Sequence, residues 1–368
     1  MILDEVDPGA RELLERYGFD EVRFEAIRAR VASGELTAAS NVVRGVVEPP
    51  QAGDLTPLPA PGEPGFEEAR ETGIAALQDG RVAAVVLAGG MATRFGGLVK
   101  GLVEAIDGRS FLEVKLAETA RLASALGVEV QTALMTSFAT DEPTRAAVAR
   151  SGLPQPMVFS QFVAPRLRPD GELFRDASGA VSLYGPGHGD LLEAIRVSGT
   201  LARLRARGVR HVTVSNVDNL GARIDPVVIG AHVLSGRPLT VEVACKDGDT
   251  GGAPVRVDGR VVLLEGPRFP AGFDHGTIPV FNTNTAVVDV DALEQPVELT
   301  WLYVEKDVDG ERAVQLEHLY HELSSFVPTT FLVVPRQGPR GRFFPVKVPE
   351  DLERSRAALR EMLAASII

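Results

Sequence analysis

The chain has very little cysteine and no long apolar run. Cys245 is the single cysteine among 368 residues, which excludes an intrachain disulfide and disfavours a cysteine-based zinc site. No apolar run approaches the roughly 20 residues that a membrane-spanning helix needs. The opening stretch MILDEVDPGARELLERYG is acidic and lacks the basic and apolar regions of a secretory signal peptide. We therefore expect a cytoplasmic protein that does not act at a membrane.

Basic residues are also fewer than acidic ones. The sequence holds 38 lysines and arginines against 50 acidic residues, a formal net charge of −12. Phosphate backbones and anionic lipids attract basic surfaces, so this balance disfavours a general nucleic-acid binder or a membrane-surface protein. An anionic small ligand would need a local cationic pocket. With 45% hydrophobic residues, the chain can bury a sizeable core, and its length suggests two or three structural units.

The spacing of apolar residues predicts an α/β fold. From residue 82 onward, apolar runs rich in β-branched residues alternate with amphipathic stretches, a pattern typical of a mainly parallel sheet with helices on both faces. Ser110 and Glu113 form a capping-box pattern that predicts the start of the first of these helices. Shorter runs around glycine-rich turns in 240–290 predict additional antiparallel strands.

The two ends of the chain lack the alternating strand and helix pattern of its centre. Residues 9–34 have helical periodicity, and residues 46–66 contain six prolines, too many for a helix or a central strand. We therefore predict a helical arm and a proline-rich connector over 1–75, and the α/β domain over 76–335. The last segment, 336–368, predicts a strand followed by a helix.

One glycine-rich loop follows the first strand of this pattern, in VVLAGGMATRFGGLVKG (85–101). In open parallel sheets, ligands bind beyond the carboxyl ends of the strands, and glycines there let backbone N–H groups approach a nucleotide. Gly89 and Gly90 occupy such positions, although two glycines also suit an ordinary tight turn. The loop is neither G-x-G-x-x-G nor G-x-x-x-x-G-K-[ST], which disfavours a dinucleotide-binding protein and excludes a P-loop NTPase.

The loop has the pattern G-G-x-x-T-R-x-G followed by a lysine, and seven further segments occur in a fixed order. They are LMTSFATDEPT (134–144), FSQFVAPRL (159–167), YGPGHGDLLEAI (184–195), VSNVDNLGARIDP (214–226), FNTNTAVVDVDAL (281–293), VQLEHLYHELSSF (314–326) and RFFPVK (342–347). Together they resemble the eukaryotic-type UTP–glucose-1-phosphate uridylyltransferase family, also called UDP-glucose pyrophosphorylases, over roughly residues 75–350. The resemblance implies a doubly wound, Rossmann-like sheet of the nucleotide-diphospho-sugar transferase (GT-A) type.

The chain also departs from the family pattern. Ala92 stands where the family loop has a glycine, and the stretch from Gly96 to Lys100 is shorter and lacks the usual proline. An arginine at position 94 resembles the N-acetylhexosamine uridylyltransferases, since the glucose enzymes often carry a small polar residue there. Only 21 residues follow Lys347, so we expect no C-terminal β-helix domain, and a monomer or a small homo-oligomer.

The resemblance implies a Mg²⁺-dependent reaction in which a sugar 1-phosphate attacks the α-phosphorus of UTP and releases pyrophosphate. Nucleotidyl transfer relies on positioning and on cations that meet developing negative charge. The cationic candidates are Arg94, Lys100 and Lys347. Asp218, directly after a predicted strand, is the predicted Mg²⁺ ligand, because hard cations prefer carboxylate oxygens. Asx residues at strand ends also form simple turns.

Other positions are assigned to the nucleotide and the sugar by the same resemblance. Gln161 carries the donor and acceptor needed to read a uracil edge, although a glutamine tying two strands together is the competing interpretation. The predicted nucleotide contacts are Leu87, Ala88, Gly89, Gly90, Met135, Gln161 and Gly187. The predicted phosphate and sugar contacts are His188, Asn216, Asn219, Gly251, Gly252, Asn282 and Asn284.

Several residues are expected to serve structure alone. Asp190 is expected to be the N-cap of the following helix. Glu242 and Lys246 are further candidates for the sugar site, although charges on a half-exposed strand need no function. The residues expected to pack or to be structural are His211, His275, Trp301, Tyr303, His318 and His321. Two alternatives to UDP-glucose synthesis stay open: a UDP-N-acetylhexosamine or broad-range UDP-sugar pyrophosphorylase, and a non-catalytic UDP-sugar-binding protein.

Overall fold

The computed structural model describes residues 1–92, 97–249, 251–344, 346 and 349–365. Its helices are α1 (Ile2–Glu5), α2 (Pro8–Arg16), α3 (Glu21–Ala32), α4 (Phe66–Gln78), α5 (Phe111–Leu126), α6 (Asp141–Arg150), α7 (Leu191–Val197), α8 (Thr200–Ala206), α9 (Pro226–Ser235), α10 (Val290–Glu294) and α11 (Pro349–Ala364). Within those ranges, no helix has the length and apolar character that crossing a membrane requires.

The strands of the described residues range from two residues to the ten of β16. They are β1 (Val47–Glu48), β2 (Leu55–Pro57), β3 (Val82–Leu87), β4 (Met91–Ala92), β5 (Leu98–Val99), β6 (Glu104–Ile106), β7 (Arg109–Ser110), β8 (Gln131–Thr136), β9 (Met157–Ser160), β10 (Ala164–Pro165), β11 (Leu183–Tyr184), β12 (His211–Asn216), β13 (Leu239–Cys245), β14 (Ala253–Val257), β15 (Arg260–Leu264), β16 (Val280–Asp289), β17 (Leu302–Val308), β18 (Glu311–Glu317) and β19 (Thr329–Val333).

Eight of these strands form one sheet, in the order β2-β19-β13-β16-β12-β3-β8-β9. Strand β16 runs antiparallel to both β13 and β12, and the remaining pairs are parallel. All six residues of β3 are buried, as expected for a strand covered on both faces. The predicted mixed, mainly parallel sheet is confirmed, and β2 lies at its edge, where prolines are tolerated.

Helices cover both faces of the sheet. Alternate residues of β3 point to opposite sides: Val85 packs in a cluster that includes Leu191 of α7, whereas Val86 packs with Leu112 of α5. Helix α5 begins at the predicted capping box, in which the Ser110 N–H donates to Glu113 Oε2 over 2.8 Å and the Glu113 N–H donates to Ser110 Oγ over 3.3 Å. This prediction is therefore confirmed.

The boundary predicted at residue 75 falls inside α4. This helix crosses α9 with backbone against backbone: a Cβ atom on Gly73 would lie 1.8 Å from the Pro226 carbonyl oxygen, and one on Gly230 would lie 1.7 Å from that of Ala69. Such an approach allows no side chain at either position. Helix α4 therefore belongs to the α/β layer, a contact that proline and glycine content alone did not indicate.

The arm α1–α3 packs on a separate part of the molecule. Ile2, Phe24 and Val31 share a cluster with Leu167, Tyr303 and Leu316, which belong to or adjoin the hairpin of β17 and β18. At the other end of the chain, α11 matches the predicted helix. The strand predicted before it is not found in the described residues 336–344, because side chains rather than a neighbouring strand bind this backbone, as described below.

Candidate active site

The carboxyl ends of β3 and β12 bring two predicted site residues into contact. These strands are parallel neighbours, with Leu87 opposite Asn216, so the loops that follow them meet. The Lys100 N–H donates to the Gly90 carbonyl over 3.1 Å, and Lys100 Nζ forms an ion pair with Asp218 Oδ2. Their side chains are 26% and 18% exposed. The predicted catalytic lysine and the predicted metal ligand therefore neutralise each other at an accessible edge of the sheet.

The other two predicted catalytic cations, Arg94 and Lys347, lie outside the described residues. The segment leading towards Lys347 is described, and Asn219 holds it. Asn219 Nδ2 donates to the Arg342 carbonyl over 3.1 Å, and its Oδ1 accepts from the Phe344 N–H over 2.9 Å. Asn219 is 4% exposed. Its predicted contact with phosphate or sugar finds no support in this geometry, because the backbone of this segment already engages both of its polar atoms.

Gln161 follows β9 and lies between two glycine backbones. A Cβ atom on Gly185 would come within 2.1 Å of Gln161 Nε2, and one on Gly89 within 3.3 Å. The backbone N–H of Gln161 donates to the Thr136 carbonyl over 2.9 Å. Within the described part of the chain, no hydrogen bond joins its side-chain amide to another protein group. The strand-tying interpretation therefore has no bond to support it, and the amide is available to a ligand beside the Gly89 loop.

Three of the predicted nucleotide contacts lie beneath this loop. Leu87, Ala88 and Met135 are buried, and the Ala88 N–H donates to the Met135 carbonyl over 2.7 Å. Two hydroxyls missing from the sequence-based prediction hold the loop above them. Thr140 Oγ1 donates to the Ala88 carbonyl over 3.0 Å, and Ser137 Oγ donates to that of Gly89 over 2.9 Å. Two hydroxyls shortly after an apolar strand were the available signal.

Asp190 occupies the predicted N-cap position of α7, but its side chain has a different role. Its side chain makes no capping bond to α7. Instead, Asp190 Oδ2 accepts from the Phe162 N–H over 2.8 Å, and Oδ1 contacts His318 Nε2 at 2.5 Å. The buried carboxylate thus ties the residue after Gln161 to His318, whose ring stacks on Trp301 with centroids 4.3 Å apart. The structural roles expected for His318 and Trp301 agree with these contacts.

His188 lies on the same loop and is held as a neutral imidazole. The Tyr320 N–H donates to His188 Nδ1 over 3.3 Å, which leaves the proton on Nε2. Burial, together with the neighbouring His318, lowers the pKa of His188 to about 4. Gly187 precedes it with φ +103°, and a Cβ atom there would lie 2.9 Å from the His318 carbonyl oxygen. His188 can therefore donate one hydrogen bond to a ligand, as its predicted phosphate contact requires.

Three asparagines form a connected group where β16 lies beside β12. Asn284 Nδ2 donates to Asn216 Oδ1 over 2.9 Å, and the Asn284 N–H donates to Asn282 Oδ1 over 2.9 Å. The pairing of β13 with β16 shifts register here, and Asn284 has φ +60°, an uncommon conformation for a non-glycine residue. A bulge therefore gathers the three predicted sugar contacts, although the sequence indicated only their alternation.

Glu265 is a site candidate that the sequence-based prediction missed. Asn282 Nδ2 donates to Glu265 Oε1 over 3.2 Å, and burial raises the pKa of the Glu265 carboxyl. A Cβ atom on Gly252 would lie 2.5 Å from Glu265 Oε2, and the Gly252 carbonyl accepts from the Asn282 N–H over 2.8 Å. The neighbouring Gly251 is exposed. A charged residue directly after an apolar strand was the signal for Glu265.

A second set of charges lies under this edge of the sheet. We call it the buried charged layer: Lys115, Arg223, Glu242 and Arg342, each at most 7% exposed. Arg342 binds Glu242 through two nitrogens, at 2.5 and 2.7 Å. The prediction that Glu242 lies on a half-exposed strand is therefore wrong, because the late segment covers β13. Lys246, also predicted there, donates from Nζ to the His275 carbonyl over 2.8 Å.

By contrast, the open edge consists of Lys100, Gln161, Asn216, Asp218 and Asn284. Its one carboxylate suits Mg²⁺, which usually takes one or two protein carboxylates and completes its shell with water and substrate phosphates. Among the described residues, Asp218 forms an ion pair with the half-buried Lys100 alone, so a divalent cation could replace that contact. The donor set present therefore fits the predicted ion.

Comparison with solved structures first identifies proteins of the same fold class. The fold is similar to that of a UDP-glucose phosphorylase from Trypanosoma brucei, with a TM-score of 0.74 at 22% identity, covering 96% of this chain and 76% of that one. It is also similar to a UDP-N-acetylglucosamine pyrophosphorylase from the same organism, with a TM-score of 0.71 at 20% identity, covering 89% and 75%. At these identities the likeness shows the α/β fold alone.

Sequence comparison then identifies the family. The family model of UTP–glucose-1-phosphate uridylyltransferases matches residues 40–366. A UTP–glucose-1-phosphate uridylyltransferase from Solanum tuberosum is 32% identical over 287 residues, which cover 72% of this chain and 59% of the relative. The chain belongs to the UTP–glucose-1-phosphate uridylyltransferase family, and its matched part spans about three fifths of the length of this relative.

Proposed function

We propose that this protein transfers a uridylyl group from UTP to glucose 1-phosphate and forms UDP-glucose and pyrophosphate. The observation that carries the proposal is the meeting of Lys100 and Asp218 at the carboxyl ends of β3 and β12, beside an available glutamine amide. Family membership over residues 40–366 supports the same reaction. We also propose that the protein works in the cytoplasm.

Each group at the open edge has a distinct task in this proposal. The Gln161 amide reads the uracil edge, while the Gly89 and Gly90 backbone lies over the nucleotide. Lys100 moves from Asp218 to the phosphates and meets the charge that develops as the α-phosphorus is attacked. Preorganised cations of this kind act mainly in the transition state. Asn216, Asn282 and Asn284 bind sugar hydroxyls, and the Nε2–H of His188 donates to a phosphate oxygen.

Asp218 would hold the magnesium ion, which when bound supplies positive charge to the phosphates. The carboxylate can serve either the ion or Lys100, so we propose that binding the substrate and ion releases the lysine. The variant Asp218→Asn keeps the size of the side chain but loses its charge, and we expect it to need more Mg²⁺ for half-maximal rate. An unchanged Mg²⁺ requirement would assign the ion to another residue.

Turnover with matched panels of substrates tests the proposal. UTP should outperform ATP, CTP and GTP, and glucose 1-phosphate should outperform N-acetylglucosamine 1-phosphate. A preference for the N-acetyl sugar would assign the protein to the alternative pyrophosphorylase activity. Binding of UDP-glucose without release of UTP on addition of pyrophosphate and Mg²⁺, with no turnover of other UDP-sugars, would instead indicate a binding protein.

A single variant tests the predicted preference for uracil. Gln161→Ala should reduce the preference for UTP over CTP, because a site built to hydrogen-bond one base rejects bases that leave its polar groups unpaired. Gln155→Ala is the matched control, since its amide donates to the carbonyls of Val148 in α6 and of Leu153 in the following loop. Unaltered nucleotide selectivity in Gln161→Ala would remove this residue from the base pocket.

A further inference from the structure

A second cluster of polar side chains lies at the opposite end of the sheet. His211 begins β12, Asp289 ends β16, and His232 lies on α9. Asp289 Oδ1 is 2.7 Å from His211 Nδ1 and 3.1 Å from His232 Nε2. One potential ligand atom from each residue lies within 4.8 Å of the other two. Three distant elements of the chain therefore bring two imidazoles and a carboxylate together, away from the open edge.

A hydrogen bond at the outside of the cluster orients His232. His232 Nδ1 lies 2.9 Å from Thr240 Oγ1, and His232 and Thr240 are 1% and 0% exposed. A hydrogen bond at the other ring nitrogen is the usual way in which a protein sets the tautomer and direction of a ligating histidine. The two histidine rings meet at 81° with centroids 5.2 Å apart, so they approach Asp289 from different directions.

The cluster is also accessible. His211 and Asp289 line an open cavity of about 730 Å³, together with Arg81 and Arg210. Ligands of tetrahedral zinc bind at about 2.0–2.2 Å and therefore lie roughly 3.4 Å apart. The observed separations of 2.7 and 3.1 Å would need to widen by about 0.7 and 0.3 Å to reach this value. Water from the cavity would supply the fourth ligand.

We propose that His211, His232 and Asp289 form a binding site for a transition-metal ion of the Zn²⁺ type. Two imidazoles and one carboxylate match the ligand sets of zinc, whereas Mg²⁺ and Ca²⁺ prefer oxygen ligands alone. The ion would join α9 to β12 and β16 and so brace the end of the sheet remote from the candidate active site. The competing interpretation is a hydrogen-bonded network that performs this task without a metal.

Titration of the metal-free protein with Zn²⁺ decides between the two. We expect a single Zn²⁺ per chain by calorimetry, Co²⁺ absorption bands of tetrahedral intensity, and no displacement by excess Mg²⁺. His211→Gln, at the rim of the cavity, should weaken Zn²⁺ binding at least tenfold, since it removes one of three ligands. His275→Gln is the control, because His275 is exposed and lies outside the cluster.

Thr240→Val is a second variant that leaves all three ligands in place. Loss of a hydrogen bond behind a ligand typically costs about 10–100-fold in metal affinity, and we expect a loss in this range. Circular dichroism confirms that each variant is folded before titration. Absence of Zn²⁺ binding in the parent protein, or parental affinity in His211→Gln, would overturn the proposal and leave the hydrogen-bonded network.

Discussion

The open edge and the buried charged layer lie on adjoining parts of the sheet but use charge in opposite ways. In the buried charged layer, Glu242 and Arg342 are 1% and 4% exposed and bind each other through two hydrogen bonds. At the open edge, Lys100 and Asp218 remain 26% and 18% exposed and make a single contact. Breaking the first pair leaves a buried charge without its nearest partner, whereas breaking the second returns both groups to water.

The buried charged layer therefore stabilises the fold, whereas the open edge is available for chemistry. Arg342 also donates to the Arg223 carbonyl over 2.9 Å, and Arg223 in turn donates to the carbonyls of Pro339 and Met362. The buried charged layer thus fixes the late segment and α11 to the sheet. The open edge keeps side chains that a substrate or an ion can recruit without unfolding anything. We therefore expect variants of the buried charged layer to change stability and variants of the open edge to change rate.

The largest effect should come from the buried pair. Glu242→Gln removes the nearer carboxylate from the Arg342 guanidinium and leaves Asp225 Oδ2 at 3.7 Å, and we expect the free energy of unfolding to fall by about 3 kcal/mol. Denaturant titration measures this change. Glu294→Gln is the matched control, because Glu294 pairs with Arg205 at the surface and both side chains are 45% exposed. Equal losses in the two variants would contradict the distinction between the regions.

Lys100→Met should produce the next largest effect, now on rate. Removing one preorganised donor to developing charge typically lowers kcat by about 10²–10³-fold, and this prediction rests on the proposed function. The free energy of unfolding should change by less than about 1 kcal/mol, as for other exposed pairs. Steady-state kinetics with UTP and glucose 1-phosphate measure kcat and KM, with Lys306→Met as the control. A rise in KM at unchanged kcat would indicate simple substrate binding.

The smallest effect concerns the pH dependence of the buried charged layer. Burial, with a further contribution from Arg342, lowers the pKa of Lys115 to about 7. The unfolded chain keeps this proton up to about pH 10.4, so it binds more protons than the folded protein in between. Stability should therefore increase with pH across this window. For Lys115 alone, we expect a gain of about 1.5 kcal/mol between about pH 7 and pH 8.5.

Lys115→Met removes this contribution and should flatten the pH profile of the unfolding free energy. Its absolute stability should also fall, because Ser215 Oγ and the Ala222 carbonyl lose the amine that contacts them at 3.0 and 2.6 Å. The slope, rather than the absolute value, is the relevant measurement. A parental slope in Lys115→Met would mean that Lys115 titrates near its ordinary pKa in the folded protein.

Sequence patterns predicted much of the fold because they report local physics. Alternating apolar runs indicated the parallel strands, and the Ser110–Glu113 pattern located the start of α5. The same patterns missed the contact of α4 with α9, since a close crossing of Gly73 and Gly230 depends on residues far apart in the chain. They also predicted a strand before α11, whereas in the described residues 336–344 the side chain of Asn219 binds the backbone.

The candidate site shows the same division between what the sequence indicates locally and what contacts between distant residues decide. The order of the motifs, and the family resemblance that they carry, selected Lys100, Asp218, Gln161 and the three asparagines as candidates. Which of them touch was decided by the tertiary structure, since strand order, the bulge at Asn284 and the placement of loops set every distance. Burial was also decided there: Glu242 and Lys100 are both charged residues near strand ends, yet only packing made one structural and left the other accessible.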